Sequence, residues 1–223
     1  MNSIYETMMQ NNKIVQNLLT KGINIKLFIR HSIRNSHDNV DFYEELTREG
    51  KVMAEAFGRG FIDTTLNYIV TSSSPRCIQT SENIIKGSLQ NLSFIKENGL
   101  VGTWITDREQ WNNSYENIYK KNIKEILQDM IDYKDINGAY KINETINIIL
   151  ELLFSKYNDK EKNGVLDIFV THDAFIMLLV CYVLKKNLNE IEWVYMLEGC
   201  FLWEENKKIY LLWRGETYEV NIL

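Results

Sequence analysis

A single proline, Pro75, stands in 223 residues, so no proline-rich linker or rigid spacer divides the chain. Three cysteines, Cys77, Cys181 and Cys200, are odd in number, widely spaced and without a C-x-x-C pair. That argues against a disulfide framework or a zinc knuckle, and they read as small buried hydrophobes. Apolar runs never approach the roughly 20 residues of a membrane span. The longest, 174–184, reads as a buried helix, so no membrane partner is expected. Basic excess is missing too: the formal net charge is -5, which gives an extended nucleic-acid surface no support. An anionic substrate would have to be met by local arginines. The first residues carry an early Glu6 and lack the basic start and continuous apolar stretch of a secretory signal, so a cytoplasmic location is expected. No G-x-x-x-x-G-K-[ST] occurs, and P-loop kinase or GTPase chemistry is unsupported.

What is present is ordinary globular composition, 45% hydrophobic and 25% charged, in a length suited to one α/β domain over 1–223. Up to about Thr20, Ile4, Met8, Ile14, Val15, Leu18 and Leu19 fall at helical spacing before a break at Lys21-Gly22. Residues 24–31 form a β-rich run that ends in charge, followed by a helix over 47–60 with Thr47 as N-cap and Glu49 in its first turn. The pattern recurs: a strand over 66–74, Pro75, a helix over 76–87 ending at Gly87, and a short strand at 92–97. From 98 to 163 the chain turns polar and aromatic and reads as an insertion or cap, with strong helical periodicity at 141–157. A buried strand follows over 165–173, then the helix 174–184. Finally 193–215 reads as two strands joined at a polar turn around Glu205-Asn206. The expected architecture is a three-layer α/β/α domain, its central sheet mostly parallel with an antiparallel C-terminal hairpin.

Three segments put unusual polar residues at the C-terminal ends of strands, where open α/β sheets build their sites. If these strands are neighbours, Arg30, His31, Arg34, Arg76, His172 and Asp173 converge on one crevice. Three guanidiniums can form forked, charge-assisted bonds to a phosphate. A neutral imidazole of His31 can attack phosphorus to give a phosphohistidine, and the surrounding cations disfavour its protonated form. His172 could donate a further hydrogen bond to the transferring group. Asp173 could protonate the leaving oxygen and then activate water.

These motifs resemble the histidine phosphatase superfamily, the phosphoglycerate mutase-like fold, over Ile25 to about Leu184. Its Arg-His-Gly motif with a further Arg corresponds to Arg30-His31-Ser32 and Arg34. The following helix, the second-arginine motif at 72–80 and the second-histidine motif at Thr171-His172-Asp173 occur in the same order. His172 followed by Asp173 is similar to the signature of the acid phosphatase branch, in which that Asp is the proton donor. The mutase branch usually has Gly there and takes its donor from a Glu elsewhere, so Glu97, Asp107 and Glu109 are the alternative acids. Ser32 in place of Gly either donates a hydrogen bond in the phosphate pocket or crowds it.

The resemblance implies a metal-independent phosphomonoesterase without cofactor, acting on a phosphorylated small molecule or a phosphoprotein. Its rivals are a phosphoglycerate mutase-type transferase and a catalytically inactive phosphate-binding module. Singly, each residue has a plainer reading. His172 and Asp173 could cap the following helix. His37 with Asp38 and Asp41 could suggest a metal site, but with no second His in helical register a solvated loop is favoured. Trp104, Trp111 and Tyr115 could line a substrate pocket or simply pack. Lys120, Lys121 and Lys124 could steer an anion or form a solvated face.

Overall fold

The computed structural model describes residues 2–35, 42–157 and 161–221. The candidate metal cluster of His37, Asp38 and Asp41 lies outside them. Among the described residues seven strands form one sheet in the order β3-β2-β4-β1-β5-β6-β7. They are β1 (Ile25–Arg30), β2 (Leu66–Thr71), β3 (Phe94–Lys96), β4 (Leu166–Thr171), β5 (Gly199–Glu205), β6 (Lys208–Trp213) and β7 (Glu216–Glu219). The run β3-β2-β4-β1 is parallel, and β5, β6 and β7 continue it antiparallel. β1 and β4 are buried along nearly their whole length, which is why they read as continuous apolar runs rather than as alternating ones. Asn206 and Lys207, both at positive φ, make the tight turn between β5 and β6, the backbone that matches the twist of a two-residue hairpin.

Helices cover both faces. On one, α1 (Asn2–Thr20), α2 (Arg48–Arg59) and α3 (Pro75–Ser88) pack against Ile25, Leu27, Ile29 and Ile168 through Val15, Phe57, Cys77 and Ile84. On the other lie α5 (Ile123–Ile131), α6 (Ile142–Glu151) and α7 (Asp173–Leu184), with the short α4 (Arg108–Asn113) beside them. There Phe28, Phe169 and Phe175 share one buried cluster with Trp104, Trp111 and Ile126. Trp111 stacks on Tyr115 with ring centroids 6.4 Å apart, so these aromatics pack. No described helix is long and apolar enough to cross a membrane.

Three local expectations are corrected. The helix read as ending at Gly87 runs to Ser88 and stops at Leu89, which is left-handed at φ 59°. Gly87 is needed for another reason, since a Cβ there would lie 2.0 Å from the Glu55 carbonyl of α2. The segment read as a strand from Trp193 enters the sheet only at Gly199, preceded by a single backbone bond from Arg30 N–H to Glu198 O. A third antiparallel strand, β7, was not expected. Its burial pattern is almost wholly exposed, so it lacks the apolar alternation by which strands are recognised.

Candidate active site

Strand order brings the polar motifs together. β4 lies between β1 and β2, with Arg30 opposite Thr171 and Thr71 opposite Val170. His31, Ser72 and His172, each one residue beyond a strand, therefore emerge side by side. Backbone bonds extend the ladder over this edge: His31 N–H donates to Thr171 O and Ser72 N–H to Val170 O, both at 2.9 Å. Pro75 opens α3, where a missing N–H costs nothing, and aims Arg76 back at the crevice.

His31 is 3% exposed. Its Nδ1 lies 2.7 Å from the Ser32 carbonyl, which can only accept, so Nδ1 carries the proton and Nε2 keeps its lone pair. Arg76 Nε donates to that Nε2 at 3.2 Å. Burial, with the Arg76 and Arg30 charges adding to it, pushes the His31 pKa down to about 3, so the imidazole is neutral at pH 7. The His31 and His172 rings meet edge to face at 5.5 Å.

His172 sits between Arg76 and Ser72. Arg76 Nη2 reaches its Nδ1 at 3.3 Å, and Ser72 Oγ lies 3.0 Å from its Nε2. A guanidinium only donates, so Nδ1 accepts here and Nε2–H donates to Ser72. The expected hydrogen bond from His172 to a transferring group is thus not available in this arrangement. It requires Arg76 to release Nδ1 and the Ser72 hydroxyl to turn its proton toward Nε2. Burial, followed by Arg76, holds the His172 pKa well below the usual histidine value.

Arg30 Nη2 pairs with Asp173 Oδ2 at 2.7 Å, and Nη1 donates to Val194 O at 2.7 Å. Among the described residues its Nε is buried without a hydrogen-bond partner. Burial lowers the pKa values of Arg30 and Arg76 from the usual arginine value, and Arg34 is close enough to bear electrostatically on both and on His172. Arg34 itself is paired with Glu44, and Arg76 Nη1 also donates to Phe42 O at 3.2 Å. Asp173 opens α7, with Oδ1 accepting the Ala174 N–H at 2.9 Å and Oδ2 accepting Trp193 Nε1–H at 3.1 Å. His172 occupies the N-cap position of α7 without a side-chain cap bond, so neither residue caps the helix through its side chain, and the Asp173 carboxylate faces Arg30 instead.

Of the alternative acids, Glu97 and Asp107 are engaged elsewhere. Glu97 accepts from Lys156 Nζ at 2.5 Å, Tyr157 Oη at 2.7 Å and Gly99 N at 2.9 Å. Asp107 caps α4 through the N–H groups of Glu109 and Gln110, and Glu109 is exposed. Ser32 neither crowds the crevice nor donates into it: the residue is fully buried and its Oγ donates to Gly50 O at 2.8 Å. Burial pushes the Cys77 thiol up to about 11, so it offers no thiolate beside His172. Lys124 Nζ lies 4.8 Å from the centroid of the Trp193 ring. Sequence reasoning missed Ser72, Glu44 and Trp193. Ser72 belongs to the second-arginine motif and was within reach of a closer reading, whereas nothing local to Trp193 signals its contact with Asp173.

An open α/β sheet carrying one histidine at each of two neighbouring strand ends, with arginines around them, defines a class of phosphoryl-handling proteins. The model of the histidine phosphatase superfamily (branch 1) matches residues 30–204, and the chain belongs to that superfamily. Among solved structures, phosphoglycerate mutase from Bacillus anthracis strain Sterne is similar at 16% identity, covering 90% of this chain and 93% of that one, with a TM-score of 0.58. YhfR of Bacillus stearothermophilus is 17% identical over 86% of this chain and 97% of its own, with a TM-score of 0.62. A mycobacterial glucosyl-3-phosphoglycerate phosphatase is 16% identical over 80% and 89%, with a TM-score of 0.52. At these identities the likeness is one of fold. A search of curated proteins gave no match.

Proposed function

We propose that this protein is a phosphatase that hydrolyses a phosphomonoester through a phosphohistidine on His31. The observation that carries this reading is the tautomer of His31: the Ser32 carbonyl holds the proton on Nδ1 and leaves the lone pair on a buried, neutral Nε2, which Arg76 Nε–H occupies at 3.2 Å and gives up when the guanidinium turns to the incoming phosphate. Nε2 attacks phosphorus as the bond to the leaving oxygen breaks, and Asp173 gives that oxygen its proton. Water then attacks phosphorus, the P–N bond returns its electrons to Nε2, and the water's proton goes to the Asp173 carboxylate. Arg76 and Arg30, with Arg34 behind them, hold the equatorial oxygens. Solved neighbours include both phosphatases and a mutase. Asp173, paired with Arg30 next to His31, is the group on hand to take the proton of the attacking water.

The test is to trap the protein with labelled substrate. An acid-labile, base-stable adduct on His31 is expected, and His31→Ala should lose turnover by at least about 10³-fold while melting cooperatively. An adduct on serine, cysteine or aspartate, or transfer of the label to a second hydroxyl in preference to water, would overturn the reading. In the same assay exhaustive chelation should leave the rate within about twofold, since guanidiniums supply the charge that a metal otherwise provides.

A further inference from the structure

The strap from Ile191 to Glu198 leads into β5 beside the C-terminal end of β1, and two arginines clamp it. Arg30 donates through its backbone N–H to Glu198 O at 2.9 Å and through Nη1 to Val194 O. Arg214 forks onto the Glu198 carboxylate at 2.7 and 2.9 Å. Val194 between them is 1% exposed. Held this way, the strap presents the Trp193 indole N–H to Asp173, while Lys124 covers the ring face from α5.

The two oxygens of Asp173 differ. Oδ2 accepts both Arg30 Nη2 and Trp193 Nε1, and among the described residues Oδ1 accepts only the Ala174 N–H. A carboxylate has about two acceptor positions per oxygen. Oδ2 is therefore saturated and one position on Oδ1 stays open. We propose that Trp193 is a positioning residue: its indole N–H, sharing Oδ2 with Arg30, locks the Asp173 carboxyl group so that Oδ1 exchanges the proton with the leaving oxygen. This rests on the reading of Asp173 as the proton donor. The terminal torsion of an aspartate is broad and roughly two-fold, so without the indole the carboxyl group can rotate and offer Oδ2, already engaged by Arg30, to the leaving group. Trp193 thus contributes orientation rather than the proton itself.

Single-turnover phosphorylation of His31 by an alkyl phosphate and by nitrophenyl phosphate tests this, because an alkoxide needs a proton to leave and a nitrophenolate hardly does. Trp193→Phe keeps the ring and removes the donor. It should slow the alkyl phosphate about tenfold, the scale of one hydrogen bond to a charged group, and the nitrophenyl phosphate less than about twofold. In an Asp173→Asn background it should cause no further loss, because a residue that acts through another has nothing left to orient. Equal losses on both substrates, no loss on either, or a full additive loss in Asp173→Asn would overturn the proposal. If Asp173→Asn itself fails to discriminate the two substrates, the donor reading fails first and separately. Should Trp193→Phe not fold, the indole resonances remain as a test. One of the five tryptophan N–H cross-peaks should shift upfield and exchange faster in Asp173→Ala, and five unmoved peaks would overturn the proposal.

Discussion

Ser32 shows how far single residues can be read. The resemblance to the family motif places it beside the nucleophile, and its side chain was expected to enter the phosphate pocket. The structure instead turns Oγ away to Gly50 O, while Ser32 N–H donates to Thr80 Oγ1 at 3.0 Å. A Cβ on Gly50 would lie 2.2 Å from the Ile33 carbonyl, so α2 approaches the 32–33 backbone closely enough for that bond. Ser32→Gly should therefore leave the proposed phosphatase activity within about twofold and lower stability by about 1 kcal/mol, the net worth of a hydrogen bond. Thermal melting and steady-state kinetics on one preparation check both, and a large gain or loss of activity would place Oγ in the pocket after all. Residue types made the crevice legible, because arginines and histidines at strand ends have few structural reasons to gather. The direction in which each side chain turns was not legible. It depends on neighbours such as Gly50 and Trp193 that are 18 and 20 positions away in sequence from Ser32 and Asp173.

At the scale of elements, continuous apolar runs located β1, β4 and α7 because each is buried along most of its length, and burial is what leaves an apolar run in a sequence. Thr47 was recognisable as the N-cap of α2 because capping is local chemistry, and its Oγ1 accepts from Gly50 N at 2.9 Å. The α2–α3 contact was not recognisable. It depends on glycine for closeness rather than for flexibility: a Cβ on Gly58 would lie 2.2 Å from Ile84 O, and one on Gly87 2.0 Å from Glu55 O. Glycine to alanine within an exposed helix normally stabilises by about 0.4–1 kcal/mol through the unfolded state. Here the sign should reverse, with Gly58→Ala or Gly87→Ala destabilising by about 1–3 kcal/mol because backbone cannot yield as a side chain tip would. Chemical denaturation of the two variants measures this. The consequence reaches the crevice, since α3 carries Arg76 and α2 buttresses Ser32. Both variants should also lose activity before they lose the fold.

For the whole molecule, neutral histidines in a cationic crevice tie stability to pH. His31 stays neutral in the folded state down to about 3, and His172 is held well below its usual value. In the unfolded chain both take up a proton near pH 6.5. Below 6.5 the unfolded state therefore binds more protons than the folded one, and stability falls as pH falls. The contribution is complete above about 6.5 and is lost progressively toward 3. Carboxylates act in the same direction but later. Burial alone would raise the Glu97 pKa, yet Lys156, the Gly99 N–H and Tyr157 outweigh it and hold it below the ordinary carboxylate value, so its loss begins only below about 4.5. Between pH 6.0 and 4.5 the histidines should dominate, each contributing a slope approaching about 1.4 kcal/mol per pH unit. Urea denaturation across that interval should show stability declining in the wild type and a slope reduced by one histidine's share in His31→Gln, even if the absolute stability of that variant differs. A wild-type stability that stays flat between pH 6.0 and 4.5, or an unchanged slope in His31→Gln, would mean that the imidazole protonates in the folded state. The crevice would then lack the neutral nucleophile on which the proposed chemistry depends.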